Sequence, residues 1–130
     1  MKKIEAKLSK YKDHALVLFR LVFGLLFMVH GAQKLFGLFG GNAVPLASLL
    51  GVAGVVEFFG GILIAIGLLT RLVSALSAVQ MLVAYVMVHA PKGWNPVANK
   101  GELALLYFAA FVLLAVWGGG RASLDAALKK

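Results

Sequence analysis

Four stretches of the chain are almost entirely apolar, and short stretches rich in glycine, proline and polar residues separate them. A bilayer core needs roughly 20 mostly apolar residues for each helical crossing. The pattern therefore predicts four membrane-spanning helices, over residues 15–36, 49–69, 72–90 and 101–117. The breakers between them are Gly37, Gly40, Gly41, Asn42 and Pro45, then Thr70 and Arg71, then Pro91, Gly93, Asn95 and Pro96.

Composition supports a membrane protein. Of 130 residues, 62% are hydrophobic and 14% are charged, whereas a soluble domain has about a quarter charged residues. A globule of this length has too little interior to hide so much apolar surface from water. We therefore expect an all-α integral membrane protein, an antiparallel four-helix bundle. Its predicted parts are a basic cytoplasmic segment, a four-helix domain and a cytoplasmic tail that begins a further short helix near Ser123: residues 1–14, 15–120 and 121–130.

The cations gather at the chain ends. Thirteen Lys and Arg residues stand against five Asp and Glu, and five of those lysines fall within residues 1–12. No basic face exists between the ends, so the expected partner is the lipid bilayer and not nucleic acid. With Arg20 left out because it lies within a span, nine cations fall on one side and three on the other. The excess predicts a multi-pass protein of a bacterial or archaeal cytoplasmic (inner) membrane, with both termini cytoplasmic.

The basic N-terminal segment has one apolar helical face, formed by Ile4, Leu8 and Tyr11. Lysines occupy its other positions. This pattern predicts an interfacial helix on the inner leaflet. A frayed basic tail is the alternative that the sequence leaves open.

Glu57 is the strongest polar signal within a span. An ionisable group at that depth is costly and indicates either a functional site or an ion pair that locks the bundle. Its helical face also holds small residues, which allow a neighbouring helix to approach closely. We expect Arg20 to be its partner, with Gln80 or a water molecule bridging the gap, and His30 is the alternative partner. The small residues are Ala53, Gly54, Gly60 and Gly61.

Polar groups on other helices extend this site into a candidate ligand pocket. Neutral histidine at the outer ends of the first and third spans can exchange protons near neutral pH. Lys34 could supply a hydrogen bond or interact with lipid headgroups. The candidate pocket consists of Arg20, His30, Lys34, Glu57 and His89, with Phe27, Phe58 and Phe59 as its expected walls.

The remaining polar positions predict structural roles. Gln80 is a candidate bridge in the third span. Asn99 and Glu102, three residues apart, have the spacing of an N-cap and N3 pair that opens the fourth helix. The chain has no cysteine, which excludes thiol redox chemistry and iron–sulfur clusters. Its three histidines lack a ligand spacing, so no metal site is expected.

Four fragments, taken in order, resemble the DoxX family of small bacterial and archaeal four-helix membrane proteins. They are FRLVFGLLFMVHGAQKLFG from Phe19, EFFGGILIAIGLLTR from Glu57, HAPKGWNPVANKGELALLY from His89 and GGGRASLD from Gly118. The resemblance implies an oxidoreductase connection, because the family is named after a membrane subunit of a thiosulfate:quinone oxidoreductase. Some members are tied to quinone, catechol or thiol stress. A related vitamin K reductase type of bundle works through cysteines, which this chain lacks.

The functional expectation is a membrane subunit of an oxidoreductase system that interacts with a quinone or small aromatic molecule. No cofactor is expected to be covalently bound, quinone is the candidate ligand, and electrons would come from a soluble or membrane partner protein. Whether the chain itself is an enzyme and whether it pairs with a second copy are left open. The alternatives are a small-solute or ion permease and a non-catalytic scaffold that recruits soluble redox enzymes.

Overall fold

A computed structural model describes residues 1–129, and every regular element in that range is helical. The prediction of an all-α protein is thereby confirmed. The elements are α1 Lys2–Ser9, α2 Lys12–Phe36, α3 Leu49–Ile66, α4 Thr70–Ala84, α5 Glu102–Trp117 and α6 Leu124–Leu128. One π-helical turn, Tyr85–His89, and one 3-10 turn, Ala90–Lys92, prolong α4.

Three helical stretches are long and apolar enough to cross a membrane: Lys12–Phe36, Leu49–Ile66 and Thr70–Lys92. They confirm the first three predicted spans to within a few residues. The fourth predicted span corresponds to α5, an apolar helix of 16 residues. Sixteen residues rise about 24 Å, which is shorter than the roughly 30 Å hydrocarbon core.

Local chemistry explains where the helices begin and end. Ser48 caps α3, since its hydroxyl accepts a hydrogen bond from the backbone N–H of Gly51 at 3.0 Å. Gly37 ends α2 at φ 69° and Gly67 ends α3 at φ 74°. Both angles lie in the left-handed region that glycine adopts without a steric penalty.

Helices α2 and α3 touch backbone to backbone. A Cβ atom on Gly24 would lie 2.7 Å from the carbonyl oxygen of Gly61, and one on Gly31 would strike the backbone of Phe58. The close crossing predicted beside Glu57 is therefore present. Gly60, assigned to the same crossing, instead faces Val73 and Ser77 of α4. The contacts run in opposite order along the two helices, since Gly24 of α2 meets Gly61 of α3 whereas Gly31 meets Phe58.

The core lies between α2, α3, α4 and α5. Its centre is an aromatic cluster in which the Tyr107 ring lies 5.5 Å from that of Phe27 and 5.6 Å from that of Phe111. The other buried members of the cluster are Ile64, Val73, Ala78, Met81 and Leu114. The outer faces of the helices carry exposed leucine and valine side chains, which a lipid bilayer covers.

The N-terminal segment folds as the helix α1, and none of its residues is buried. Ile4, Leu8 and Tyr11 are all exposed. Helix α1 therefore presents Ile4 and Leu8 on the apolar face expected of an interfacial helix, whereas Tyr11 lies beyond the end of α1 and is the N-cap of α2.

At one end of the helices, segment 67–71 between α3 and α4 contacts segment 116–125 at the end of α5. We call this end the tail end. Asp125 caps α4 by accepting hydrogen bonds from the backbone N–H groups of Leu69 at 2.7 Å and Thr70 at 2.9 Å. Ser123 caps α6, since its hydroxyl accepts from the N–H of Ala126. The short helix predicted near Ser123 is thereby confirmed. We call the opposite end, which carries segments 37–48 and 93–101, the loop end.

Replacing Asp125 with alanine is expected to cost about 1 kcal/mol of stability at neutral pH, the usual value of a lost cap. Burial alone would raise the pKa of Asp125, but the hydrogen bonds from Thr70 and Leu69 outweigh burial and hold it below the ordinary carboxyl value. A lowered pKa stabilises the fold above the unfolded-state pKa of about 4, and this stabilisation is lost as pH falls through the folded-state pKa.

Thermal melts of the wild type and Asp125→Ala across pH should therefore converge in acid. The control is Glu5→Ala, which removes an exposed carboxylate from α1 and should melt with the wild type throughout. A difference between wild type and Asp125→Ala that persisted unchanged to about pH 2 would contradict the capping role.

Candidate functional site

A cavity of about 270 Å³ opens at the loop end between α2, α3, α5 and the end of α4. Four of the five predicted pocket residues line it: His30, Lys34, Glu57 and His89. They come from three different helical stretches and span 60 positions of sequence, so the fold is what brings them together. We call this space the loop-end cavity.

The polar centre of the loop-end cavity is an ion pair between Lys34 and Glu57. The Lys34 ammonium donates a hydrogen bond to Glu57 Oε1, with Nζ and Oε1 2.7 Å apart. Glu57 is 3% exposed, whereas the Lys34 side chain is 27% exposed. Within residues 1–129, the second carboxylate oxygen, Oε2, has no hydrogen-bond partner. The pair therefore offers one acceptor without a partner at hydrogen-bond distance, in a largely buried site where the Gln80 side chain lies near the same carboxyl.

The prediction that Arg20 pairs with Glu57 is wrong, and Arg20 does not line the cavity. Its guanidinium points to the tail end and donates to the carbonyl oxygens of Gly119 at 2.5 Å, Ala122 at 2.9 Å and Ala65 at 3.3 Å. These carbonyls lie at or beyond helix ends, where the regular helical partners are lost. A planar fork with five donors suits several such acceptors at once.

Tyr107 of α5 is a cavity residue that the sequence did not indicate. It is 3% exposed, and the His30 ring meets its ring edge-on with centroids 5.9 Å apart. Nothing distinguished it from a core aromatic except its hydroxyl in a helix that is otherwise apolar after Glu102. Lys100, expected only in an external loop, also lines the cavity.

The loop-end segment is held by Asn99, which is 2% exposed. Its amide donates to the Tyr85 hydroxyl at 3.1 Å and the Gly93 carbonyl at 2.9 Å, and its oxygen accepts from the Gly101 N–H at 2.8 Å. The predicted pairing of Asn99 with Glu102 as N-cap and N3 is wrong. Gly101 is the N-cap and Glu102 is the first residue of α5, with an exposed side chain.

His89 is fixed at the rim of the cavity. Its Nδ1 lies 3.1 Å from the Asn99 carbonyl oxygen, so Nε2 is the ring nitrogen that this contact does not engage. The π-helical turn Tyr85–His89 places this residue. Such turns insert one extra residue into a helix and occur often at functional sites.

Only one of the three predicted aromatic walls is present. Phe27 is 1% exposed and lines the cavity. Phe58 and Phe59 do not, because consecutive helical residues turn by about 100° and Glu57 itself takes the inward direction. Phe59 is 56% exposed, and Phe58 packs edge-on against Phe36.

Two further observations limit the chemistry. The Gln80 side chain of α4 is half-buried and lies near the Glu57 carboxyl, in the region where a bridging role was expected. Across the described part of the chain, no three His, Asp or Glu side chains gather closely enough to hold a metal ion.

Comparison with known protein families assigns the chain to one of them. The family model of DoxX matches residues 15–90, which is more than half of the sequence. The chain belongs to the DoxX family. The matched region of this DoxX protein runs from α2 to the end of α4, so it contains the Lys34–Glu57 pair, His30 and His89. Lys100, Tyr107 and the tail lie beyond it.

Two relatives align along nearly the whole DoxX chain. An uncharacterized protein of Haemophilus influenzae is 39% identical over 125 residues, covering 91% of this chain and 93% of the relative. A Bacillus subtilis protein named "Putative oxidoreductase CatD" is 29% identical over 124 residues, covering 91% of this chain and 90% of the relative. No solved structure matches the chain.

Proposed function

We propose that this DoxX protein is an antiparallel four-helix bundle that crosses the cytoplasmic membrane four times, with both termini inside. The opposite contact order of α2 and α3 and the short connection between α3 and α4 support the arrangement. The excess of lysine and arginine at the tail end supports its orientation. Under this arrangement the loop-end cavity faces the outer side.

We further propose that the loop-end cavity binds a quinone or catechol-like molecule, and that the protein is a membrane subunit of an oxidoreductase system. The observation that carries the proposal is the buried Lys34–Glu57 pair with its unused oxygen. An ion pair at this depth costs several kcal/mol of desolvation, and an oxygen left without a partner adds to that cost. A ligand with polar oxygens would complete the site.

The size and lining of the cavity suit a single flat ring. About 270 Å³ is near the lower end of small-molecule pockets, which start at about 300 Å³. Phe27 and Tyr107 supply aromatic faces against which a ring can pack. Lys34, His30 and His89 supply polar groups at the edges. A quinone fits these residues, since it has an apolar ring and an oxygen at each end.

The protein's own residues would orient the ligand and handle protons. The Lys34 ammonium can donate to a carbonyl oxygen and stabilise negative charge that develops there. Glu57 Oε2 can accept a proton from a ligand hydroxyl. When bound, the quinone supplies the electron-accepting chemistry. Because the chain has no cysteine, the electrons would come from a partner, and the name of the Bacillus subtilis relative agrees with such a system.

Thermal-shift titration of the purified protein in detergent tests this proposal, with a short-chain quinone and a catechol as probes. We expect a melting temperature that rises with ligand concentration. Lys34→Gln should weaken binding by about 1–3 kcal/mol, because the ammonium no longer meets the ligand oxygen.

The matched control is Lys92→Gln, an exposed lysine outside the cavity, which should bind like the wild type. Equal shifts for the wild type, Lys34→Gln and Glu57→Gln would show that the ligand only partitions into detergent. The scaffold alternative would then replace the binding proposal.

A further inference from the structure

Five buried side-chain polar atoms in residues 1–129 lack a hydrogen-bond partner, and they come from only three helices. Buried polar groups are nearly always hydrogen-bonded. An unpaired polar group in a hydrocarbon environment is destabilising, because no water is there to bond to it. So many in a chain of this size calls for an explanation. The atoms are Arg20 Nε, Glu57 Oε2, Thr70 Oγ1, Ser74 Oγ and Ser77 Oγ.

The three hydroxyls form a row along one face of α4. Thr70, Ser74 and Ser77 are spaced by four and three residues, which places them on the same side of the helix. All three are fully buried, at 0% exposure. The row rises roughly 10 Å from Thr70 to Ser77, and it faces the protein interior and not lipid.

The lower end of the hydroxyl row reaches the tail end. A Cβ atom on Gly119 would lie 2.8 Å from Thr70 Oγ1, and Arg20 donates to the carbonyl of this same glycine. The Asp125 carboxylate lies close enough to interact electrostatically with Arg20, so it offsets the positive charge beside the row. Arg20 and Thr70 therefore present polar atoms where the chain folds back.

The upper end of the row approaches Glu57. A Cβ atom on Gly60 would lie 3.5 Å from Ser77 Oγ, so no side chain separates Ser77 from this part of α3. Gly60 is one helical turn from Glu57. Glu57 is 3% exposed, and its free oxygen is the remaining one of the five unpaired polar atoms.

We propose that the hydroxyl row, joined by water molecules, is a proton path between the tail end and Glu57. Each hydroxyl accepts a proton on its oxygen and releases its own to the next group, so no electron or reductant is required. The last transfer protonates Glu57 Oε2, and release of that proton into the loop-end cavity completes passage. The direction from the inner to the outer side rests on the membrane arrangement proposed above, but the path does not depend on the identity of the ligand.

The groups around Glu57 control the last step. Lys34 and His30 line the cavity around it from α2, and Tyr107 does so from α5. The other groups are Gln80 and His89 of the α4 stretch and Lys100, which precedes α5. The Lys34 ammonium favours the ionised carboxylate. Protonation of Oε2 removes the negative charge of Glu57. The arrival of a proton therefore weakens the ion pair between Glu57 and Lys34.

Proton flux into vesicles tests the proposal. The full chain is reconstituted into phospholipid vesicles that contain a pH-sensitive dye, and a potassium gradient with valinomycin sets the membrane potential. Wild-type vesicles should acidify faster than protein-free vesicles. The double variant Ser74→Ala/Ser77→Ala should return to the protein-free rate, while its melting temperature stays close to that of the wild type, because neither serine hydroxyl bonds to another part of the protein.

Matched variants exclude a general effect of losing a hydroxyl. Ser9→Ala removes the same atom from the exposed helix α1 and should keep wild-type flux. Thr70→Ser keeps the hydroxyl and should also keep the flux, whereas Thr70→Val has nearly the same shape without it and should lose the flux. Wild-type flux in the double variant, or no flux above protein-free vesicles in the wild type, would overturn the proposal.

The ligand proposal can fail separately. The double serine variant should keep the quinone-dependent thermal shift, because neither serine lines the loop-end cavity. Flux that depends on the serines without any quinone binding would support the path and reject the ligand. Quinone binding with serine-independent flux would do the reverse.

Discussion

Replacing Arg20 with leucine is expected to lower the free energy of unfolding by on the order of 3–5 kcal/mol. The guanidinium is 3% exposed and donates to the carbonyls of Ala65, Gly119 and Ala122. The bonds to Ala65 and Gly119 are buried, and each buried acceptor left unpaired costs about 1–3 kcal/mol. The same bonds attach the segment after α5 to the end of α3, so this segment should loosen as well.

Detergent thermal melts and denaturant titrations measure this loss. Arg20→Lys should recover only part of it, since one ammonium cannot reproduce a fork with two donor ends. Arg121→Leu is the control, because Arg121 is exposed at the same tail end; its effect should stay within about 0.5 kcal/mol. The Arg20→Leu and Glu57→Leu losses should simply add, because the two side chains do not pair. Recovery in that double variant would contradict the Arg20 contacts described above.

Breaking the Lys34–Glu57 pair from either side should cost about 2–3 kcal/mol, near the low end for a buried ion pair. Lys34→Leu leaves a carboxylate that can take up a proton at moderate cost. Glu57→Leu leaves an ammonium that can reach water, since the Lys34 side chain is already 27% exposed. In each single variant the remaining partner can either lose its charge or reach water. The losses in stability should therefore stay below that of Arg20→Leu.

The double variant Lys34→Leu/Glu57→Leu decides whether the pair is real. It should recover much of the sum of the two single losses, because replacing a buried pair together leaves no uncompensated charge. The coupling energy from the four melts should be at least about 1 kcal/mol. Additive losses would mean that the 2.7 Å contact contributes nothing to stability. The same cycle with Lys92 in place of Lys34 is the control and should be additive.

The sequence predicted most of the fold because the bilayer imposes one simple requirement, long apolar helices. That requirement located α2, α3 and α4, and the glycines beside Glu57 indicated the close crossing with α2. It also located α5, which matches the predicted span 101–117 to within one residue. It did not reveal how the helix ends are arranged, since a run of apolar residues marks only where a helix can lie in lipid.

Part of the site could be predicted from residue types, whereas the rest could be identified only from the fold. Lys34 and His30 lie one turn apart near the end of α2, so their shared location followed from helical spacing. The partner of Glu57 did not, because a long arginine side chain can point toward either end of its helix. The acceptors that decide the direction of Arg20 are backbone carbonyls near Gly119, which leave no trace in residue type.

Tyr107 and Phe59 show that residue type alone did not identify all the aromatic walls of the cavity. Phe58 and Phe59, adjacent to Glu57 in sequence, are predicted walls, yet a helix turns consecutive side chains apart and Phe59 is exposed. The second aromatic wall, beside Phe27, comes instead from Tyr107 of α5, 50 residues from Glu57 in sequence. Only contacts between helices that are distant in the chain identify it.

The most direct test of the central claim is an experimental structure of the protein extracted in mild detergent and supplied with a short-chain quinone. The account predicts a flat ligand in the loop-end cavity, packed against the Phe27 and Tyr107 rings that line it, with one oxygen within hydrogen-bond distance of Lys34 Nζ. It also predicts that the Lys34→Gln protein, treated identically, shows no such ligand. A loop-end cavity closed by its own side chains, or a ligand found only on the outer faces of the helices, would contradict the claim.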